Sequence, residues 1–586
     1  MSPDANGYVV QARLLADEGR TSFATASPVQ YVGMHWLETE TGTFHSRYPA
    51  GLPLIMAGAW KVGGLNAALL INPLLASATV LLVFFLARRV VDEPYALVAA
   101  LVVAVLPTSN QHALDADAHI AAAFFLVGGV LALLRFAATG GRGPALLAGV
   151  LLGVIPSIRY PEAIVGVAIG AWLLWRIRPV WRVWPAVVGA ALPLGALMAH
   201  NASAFGAFWR TGYALTNEQT GFGLGYFASH VLPYLQALSG QGPTLMFAFG
   251  IAGLAAMVTD VRRRAEGALF AGITVPLVLL YMAYYFGGGG PGGAGGNLRF
   301  LVPTFPFFAV AGIWLLARVA DQLGRAGTAA VAAVVAVQSL MGIGASAQVL
   351  SRAKASLGAA ARARAVAERE IPAGSVIIVD RQLAESLDAT GRWRLVEENL
   401  LAAGVGGGLG GPGLGPLGGG AGRGGPSGRG PGLRPPNVGG ARGGEVAEDE
   451  PSPQQRGKNR AQQERYAGLR PEERRARLWA DLATWAEGKP VYWFARSLEA
   501  VETALPGGSD YRSIAEVEAP RMFGPPGGGA AGISVSGGPG RGPMTGSPGG
   551  PGVMGGGPGG RRGGNAVQPA ARLRVVRVEL APQPKS

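Results

Sequence analysis

Residues Leu65–Ala87 read LNAALLINPLLASATVLLVFFLA, and Arg88 and Arg89 follow at once. An uncharged run of this length reaches across a hydrocarbon core, which needs roughly 20 apolar residues as a helix. The arginine pair at its end suits the side of a membrane from which basic loops are not translocated. The run therefore predicts a spanning segment with its C-terminal end at the cytoplasm.

The same pattern repeats outward from this stretch. Apolar runs occur at Pro94–Asn110, Asp117–Phe136, Pro144–Ile158, Ala163–Trp175, Trp184–His200, Gln241–Thr259, Leu269–Phe286, Phe300–Leu316 and Ala329–Ala345. Arginines mark every second connection: Arg88 and Arg89, Arg135 and Arg142, Arg176, Arg178 and Arg182, Arg262–Arg264, then Arg318 and Arg325. With about ten spans, all of these connections fall on one side, and the bias of basic loops makes that side the cytoplasm. The expected fold class is an all-α polytopic membrane bundle over residues 65–345.

Composition agrees. Of 586 residues, 49% are hydrophobic and only 15% charged, with mean hydropathy +0.28. The formal net charge of +14 resides in short loops and glycine-rich tracts. No zinc spacing or aromatic RNA platform accompanies it, so nucleic acid is excluded as a partner. Cysteine is absent, so an outward domain must hold together by packing alone.

The opposite face then holds residues 1–64, the turns at Asn110–Asp117 and Arg159–Glu162, the loop Asn201–Gly240, the loop Gly287–Arg299 and everything after Leu350. No span precedes residues 1–64, so this topology implies either a first transmembrane helix upstream or a directly translocated N-terminal tail. Gly7–Gly19 (GYVVQARLLADEG) carries Val9, Ala12, Leu14 and Leu15 on one stripe and predicts an amphipathic helix on the membrane surface. Leu52–Val62 is too short to cross and predicts a second juxtamembrane helix.

Residues 351–586 change character. SVIIVD (Ser375–Asp380), WRLVE (Trp393–Glu397), PVYWF (Pro490–Phe494) and ARLRVVRVEL (Ala571–Leu580) predict strands. Ala361–Arg369 and Glu472–Glu487 predict helices, giving a small extracytoplasmic α/β domain. Tracts 404–444 and 524–564 are too rich in glycine to repay ordering and are expected as disordered insertions.

Polar residues that resist a bland account gather on the outward face. Asp4, ahead of Tyr8, could take a proton from an incoming hydroxyl or amine, or simply cap or be solvated. In QHALDADAH (Gln111–His119), Asp115 and Asp117 stand at a span boundary, where a carboxylate is costly unless it caps, pairs, binds an ion or acts on a substrate. Asp115, Asp117 and His119 could hold a divalent cation, although their spacing is no specific metal signature. His45, Arg47 and Tyr48, with Arg159 and Arg299, offer forked donors suited to a lipid phosphate; each arginine could equally snorkel to headgroups. Tyr213, Asn217 and Glu218 in the long outer loop combine aromatic and polar contacts of the kind that bind sugars, or decorate a surface.

Taken in order, Asp4…Tyr8, His45-Ser46-Arg47-Tyr48-Pro49-Ala50-Gly51-Leu52-Pro53, Asp115-Ala116-Asp117, Asn201–Gly206 with Thr211-Gly212-Tyr213, and Arg299–Pro303 resemble the GT-C superfamily of integral membrane glycosyltransferases. The likeness is to the polyprenyl-phosphate-sugar-dependent group related to protein O-mannosyltransferases and lipid A aminoarabinose transferases, and it covers roughly residues 1–345. It implies a helical bundle with juxtamembrane helices in the bacterial cytoplasmic (inner) membrane. It also implies a sugar donor on undecaprenyl or a similar phosphate, and an acceptor that is a lipid, glycan or protein. The catalytic carboxylate of the first external loop maps onto Asp4, and the second acidic motif onto Asp117 or Asp115, with or without a divalent cation. Two rivals remain at this stage. A lipid-linked sugar transporter or flippase would carry polar groups in mid-span and paired broken helices, and an inactive scaffold would use the C-terminal domain for binding.

Overall fold

The computed structural model describes residues 2–216, 218, 221–286, 293–402, 460–519 and 572–580. Both glycine-rich tracts and Asn217 lie outside the described residues. Helix α1 (Pro3–Glu18) opens on Ser2, whose hydroxyl accepts from Ala5 N at 3.1 Å, and closes at Gly19 in the left-handed region. A small antiparallel sheet follows, β1 (Ser22–Ala24), β2 (Trp36–Glu38) and β3 (Thr43–Ser46), in the order β1-β3-β2.

The bundle comprises α2 (Gly51–Leu69), α3 (Ile71–Ala87), α4 (Glu93–Ala104), α5 (Pro107–Ala113), α6 (Ala118–Thr139), α7 (Arg142–Ile158), α8 (Val165–Arg176), α9 (Trp184–Phe205), the short α10 (Gly212–Leu215), α11 (Leu224–Gly240), α12 (Leu245–Thr259), α13 (Arg264–Met282), α14 (Gly293–Asn297) and α15 (Phe305–Glu370). Among the described residues, five helices are long and apolar enough to cross a membrane, or seven if each of two bent pairs counts once: α4 with α5, bent by 62°, and α11 with α12, bent by 108°. Each of the ten apolar runs falls on helix, but the last two join in α15, which bends where Gly324 takes φ 59° and ψ −134°. A side chain there would be strained.

Apolar solvent cannot drive helices together in a bilayer, so close backbone packing must do it. The pair α7 and α9 shows this: a Cβ on Gly149 would stand 2.0 Å from the Ala186 carbonyl oxygen. Helices α12 and α15 pack likewise, with Gly253 set against Ala311.

After α15 come β4 (Val376–Val379), α16 (Arg381–Asp388), β5 (Arg394–Glu397), α17 (Glu398–Ala402), α18 (Arg460–Tyr466), α19 (Pro471–Ala486), β6 (Val491–Ala495), α20 (Leu498–Ala504), β7 (Asp510–Glu518) and β8 (Arg572–Glu579). The strands form one mixed sheet, β5-β4-β6-β8-β7, parallel at β5-β4-β6 and antiparallel at β6-β8-β7. The α/β reading is met, with β7 added; its exposed charged residues hide the alternation. The last strand returns to pair with β6, as its pattern predicts.

Two expectations change. Helix α1 does not lie with one face open, because every residue from Ala5 to Ala12 is buried. Of its polar residues, Asn6 and Gln11 are covered by protein, while Asp17 and Glu18 stay exposed. The second juxtamembrane helix is longer than the apolar run suggests, continuing to Leu69 through a break at Gly63 and Gly64.

Candidate active site

Asp4 sits in the first turn of α1, the favourable end of a helix for a carboxylate. Three groups converge on it. Tyr48 donates its hydroxyl to Oδ1 at 2.7 Å, His35 Nε2 lies 2.9 Å from the same oxygen, and Arg299 Nη1 reaches Oδ2 at 3.0 Å. Burial works against ionisation here, yet Arg299, the His35 hydrogen bond and Arg47 hold the carboxyl well below the usual carboxylate range.

Arg47 extends the cluster. Its guanidinium pairs with Glu218, donates to Tyr48 Oη at 3.1 Å, and lies 5.0 Å above the Tyr48 ring and 5.7 Å above that of Tyr213. Tyr48 in turn stacks on Tyr8 with ring centroids 4.5 Å apart. Tyr213 is placed by a close approach, since a Cβ at Gly212 would fall 2.4 Å from the Arg47 carbonyl oxygen. Elements far apart in sequence, α1, the segment after β3, α10 and the turn ahead of α15, thus meet in one aromatic and charged pocket wall.

A second cluster lies beneath. Arg159 Nη2 donates to Tyr281 Oη at 2.8 Å and Nη1 lies 2.8 Å from His119 Nδ1, while Glu162 pairs with it at 2.7 Å. Asp117 caps α6 by accepting from His119 N at 3.1 Å and pairs with His112 Nδ1. Asn72 Nδ2 donates to the Asp115 and Asp117 carbonyls at 2.6 and 2.7 Å, fixing the turn that carries them. Burial and the neighbouring Asp117 push the Asp115 carboxyl up, against a hydrogen bond with Ser2.

Exposure separates the two. Asp4 and Arg299 side chains are 21% and 26% exposed, whereas Arg159 and Glu162 are 6% and 0%. A ligand can reach the first cluster as it stands, but the second only by breaking its pairs. Arg47 Nε and Arg299 Nε are buried donors that find no acceptor among the described residues.

The expected residues therefore divide. Asp4, Arg47, Tyr48, Arg299, Tyr213 and Glu218 come together; Asp117, His119 and Arg159 form the sealed layer, with Asp115 half-buried at its edge. His45 joins neither, its ring resting 6.0 Å from that of Phe205, where burial and His200 lower its basicity. Sequence reasoning missed His35. It lies outside every apolar run, and only the fold brings it to Asp4.

The nearest cation-ligand geometry is His112, Asp117 and His119, with ligand atoms within 4.8 Å of one another; Asp115 is not among them, and instead accepts from Ala116 N at 3.0 Å. The set fits a divalent cation poorly. Its imidazole nitrogens already serve Asp117 and Arg159, and the Arg159 charge opposes a second cation beside it.

The architecture is an apolar helical bundle with an acidic and arginine-lined site beside a small α/β domain. It is similar to the crystal structure of ArnT from Cupriavidus metallidurans bound to undecaprenyl phosphate, at 15% identity and TM-score 0.50, over 68% of this chain and 81% of that one. An apo oligosaccharyltransferase of Archaeoglobus fulgidus is also similar, at 14% identity and TM-score 0.41, over 67% of this chain and 60% of that one. Residues 49–201 match the profile of the family described as dolichyl-phosphate-mannose-protein mannosyltransferase. The resemblance seen in the sequence thus holds for fold and for family likeness. Comparison with curated proteins gives no match.

Proposed function

We propose that this chain is a membrane glycosyltransferase that moves a sugar from a polyprenyl-phosphate donor to a lipid, glycan or protein acceptor on the outer face of the bacterial inner membrane. One observation carries the reading: a part-open, ionised Asp4 stands beside Arg299, with which it pairs, and Arg47, which reaches it through Tyr48. A phosphate monoanion or diester suits such forked donors.

In the proposed step the acceptor oxygen or nitrogen attacks the anomeric carbon. The bond from that carbon to the donor phosphate oxygen breaks, its electron pair leaves on the phosphate, and the acceptor proton passes to Asp4. The configuration inverts. Asp4 alone is a weak base, because its ion pairs hold it ionised. A donor phosphate that shares Arg299 and Arg47 dilutes that stabilisation, so donor binding itself makes Asp4 more basic. Arg299 and Arg47 then carry the charge developing on the leaving phosphate, a contribution enlarged where water is excluded.

We assign Tyr8, Tyr48, Tyr213 and Glu218 to the sugar or acceptor, through ring faces and a carboxylate. Asp117, Asp115 and Arg159 support the floor of the site, and no step is routed through a metal. The C-terminal domain lies extracytoplasmically in this reading.

The bent pairs α4-α5 and α11-α12 are the feature that favours the transporter alternative. Their breaks are served by neutral groups: Gln338 of α15 accepts from Leu245 N at 3.1 Å, and Ser346 accepts from Asn110 at 2.9 Å. Such neutral contacts support the broken helices without offering a charged path. The test is sugar transfer from a labelled undecaprenyl-phosphate donor in proteoliposomes, followed by donor-leaflet accessibility. Loss of transfer in Asp4→Asn supports the enzyme. Wild-type transfer in Asp4→Asn, or donor translocation without transfer, refutes it.

A further inference from the structure

Between the small outer sheet and the C-terminal domain runs a short strand of chain, Ser27–Trp36, that belongs to both. Val29 is 1% exposed and packs in the domain core with Val376, Ile378 and Trp493. Tyr31 is buried on the other face of the same sheet, with Ile377, Val379 and Leu383, and its N–H donates to the Leu395 carbonyl of β5 at 2.8 Å. Gln462 of α18 donates to the Pro28 carbonyl at 2.9 Å. One end of this strap is therefore an edge of the domain.

The other end is the site. His35 Nε2 is 2.9 Å from Asp4 Oδ1, and the His35 carbonyl accepts from Arg47 N at 2.9 Å. Four residue steps separate Tyr31 from His35, a reach of at most about 14 Å, so little slack lies between the sheet and the carboxylate.

A second tie runs in parallel. Asn6, two residues after Asp4 on α1, donates through Nδ2 to Asp388 Oδ2 at 3.0 Å and to the Glu385 carbonyl at 3.2 Å, both on α16 of the domain. The strap passes against this contact, since a Cβ on Gly33 would come 2.3 Å from Asn6 Oδ1. Arg13, further along α1, lies against Gly391 just past α16.

We propose that the C-terminal domain is a positioning element of the site: through the Val29–His35 strap and the Asn6–Asp388 hydrogen bond it sets the placement of Asp4, His35 and Arg47. Asn6, Tyr31 and Asp388 are then positioning residues that act through Asp4 and Arg47. This rests on the reading of Asp4 given above. Ligands or partners that shift the domain would alter transfer without touching donor or acceptor. Asn at 388 keeps a side-chain oxygen that can accept from Asn6 Nδ2, whereas Ala removes it.

The test uses the full chain in lipid nanodiscs, with hydrogen exchange and transfer pH profiles on Asp388→Ala, Asn6→Ala and Asp388→Asn. Opening the tie should speed exchange in residues 5–12 and 31–36 by at least about tenfold in both alanine variants, the scale of one lost hydrogen bond, while α6 stays unchanged. The acid limb of the transfer profile should move upward in the same two variants as His35 and Arg299 lose their hold on Asp4. Asp388→Asn should restore both. Should either alanine variant fail to fold, Gly33→Ala disturbs the same contact from the strap side and is read by the same exchange. Unchanged exchange at 5–12 and 31–36, or an Asp388→Asn variant as damaged as Asp388→Ala, overturns the proposal. Full transfer in Asp4→Asn sinks the role of Asp4 while leaving the exchange result standing, so the two failures are distinguishable.

Discussion

Replacing Arg299 by glutamine removes one full charge from the open cluster while keeping most of the side-chain volume. The guanidinium lies 3.0 Å from Asp4 Oδ2, with the two side chains 26% and 21% exposed. At an effective dielectric constant of about 20, charges roughly 4 Å apart interact by about 4 kcal/mol. Partial exposure and the remaining pull of His35 and Arg47 reduce this to about 1.4–2.7 kcal/mol. The sign follows from the direction of the shift. Asp4 is depressed in the folded protein, so its contribution to stability is present above the ordinary carboxylate pKa and is lost as pH falls through the lowered value. In Arg299→Gln the folded value moves back up toward the ordinary carboxylate range, so less stability is lost and the loss is complete at a higher pH. The acid limb of kcat/KM should move up with it, and transfer at neutral pH should fall by about 10²–10³, as when one preorganised donor to a developing anion is removed. Transfer from a polyprenyl-phosphate sugar across a pH range that reaches below the usual carboxylate values measures both. A fall of less than about threefold with an unmoved acid limb would refute both the ion pair's role and the phosphate assignment.

Arg159→Ala leaves the fully enclosed Glu162 carboxylate without its cation. It should cost about 3–5 kcal/mol in thermal or denaturant unfolding, most of which returns when Glu162→Ala is added. An unmoved single variant would show that the pair is not the floor of the site. Gly212→Ala forces its new Cβ into the Arg47 carbonyl; with Arg47 displaced, donor KM should rise about tenfold at a stability loss of about 1–3 kcal/mol, and unchanged kinetics would contradict the placement of Tyr213 and Arg47.

What the chain declares locally is its relation to lipid. The uncharged run Leu65–Ala87 announces a spanning bundle, because hydrocarbon acts on each segment separately and needs no partner to do so. The strands at Val376, Arg394, Val491 and Arg572 are legible for a similar reason, each carrying its own apolar pattern. The outward set Asp4, Arg47, Tyr48 and Arg299 could be gathered by side of the membrane, since topology alone confines them to one compartment.

Depth within that compartment is a different matter. Whether Asp4 and Arg299 stand open while Arg159, Glu162 and Asp117 are sealed depends on which helices close over them, a long-range packing outcome that no local pattern carries. His35 shows the limit most clearly. In sequence it is a lone histidine outside every apolar run, and only the fold brings it to Asp4. Helix α1 likewise has the pattern of a surface helix, but α16 of a domain more than three hundred residues away covers its Asn6. Lipid compatibility is a property of each segment taken alone; the chemistry of the site is a property of contacts between segments, and so belongs to the tertiary structure.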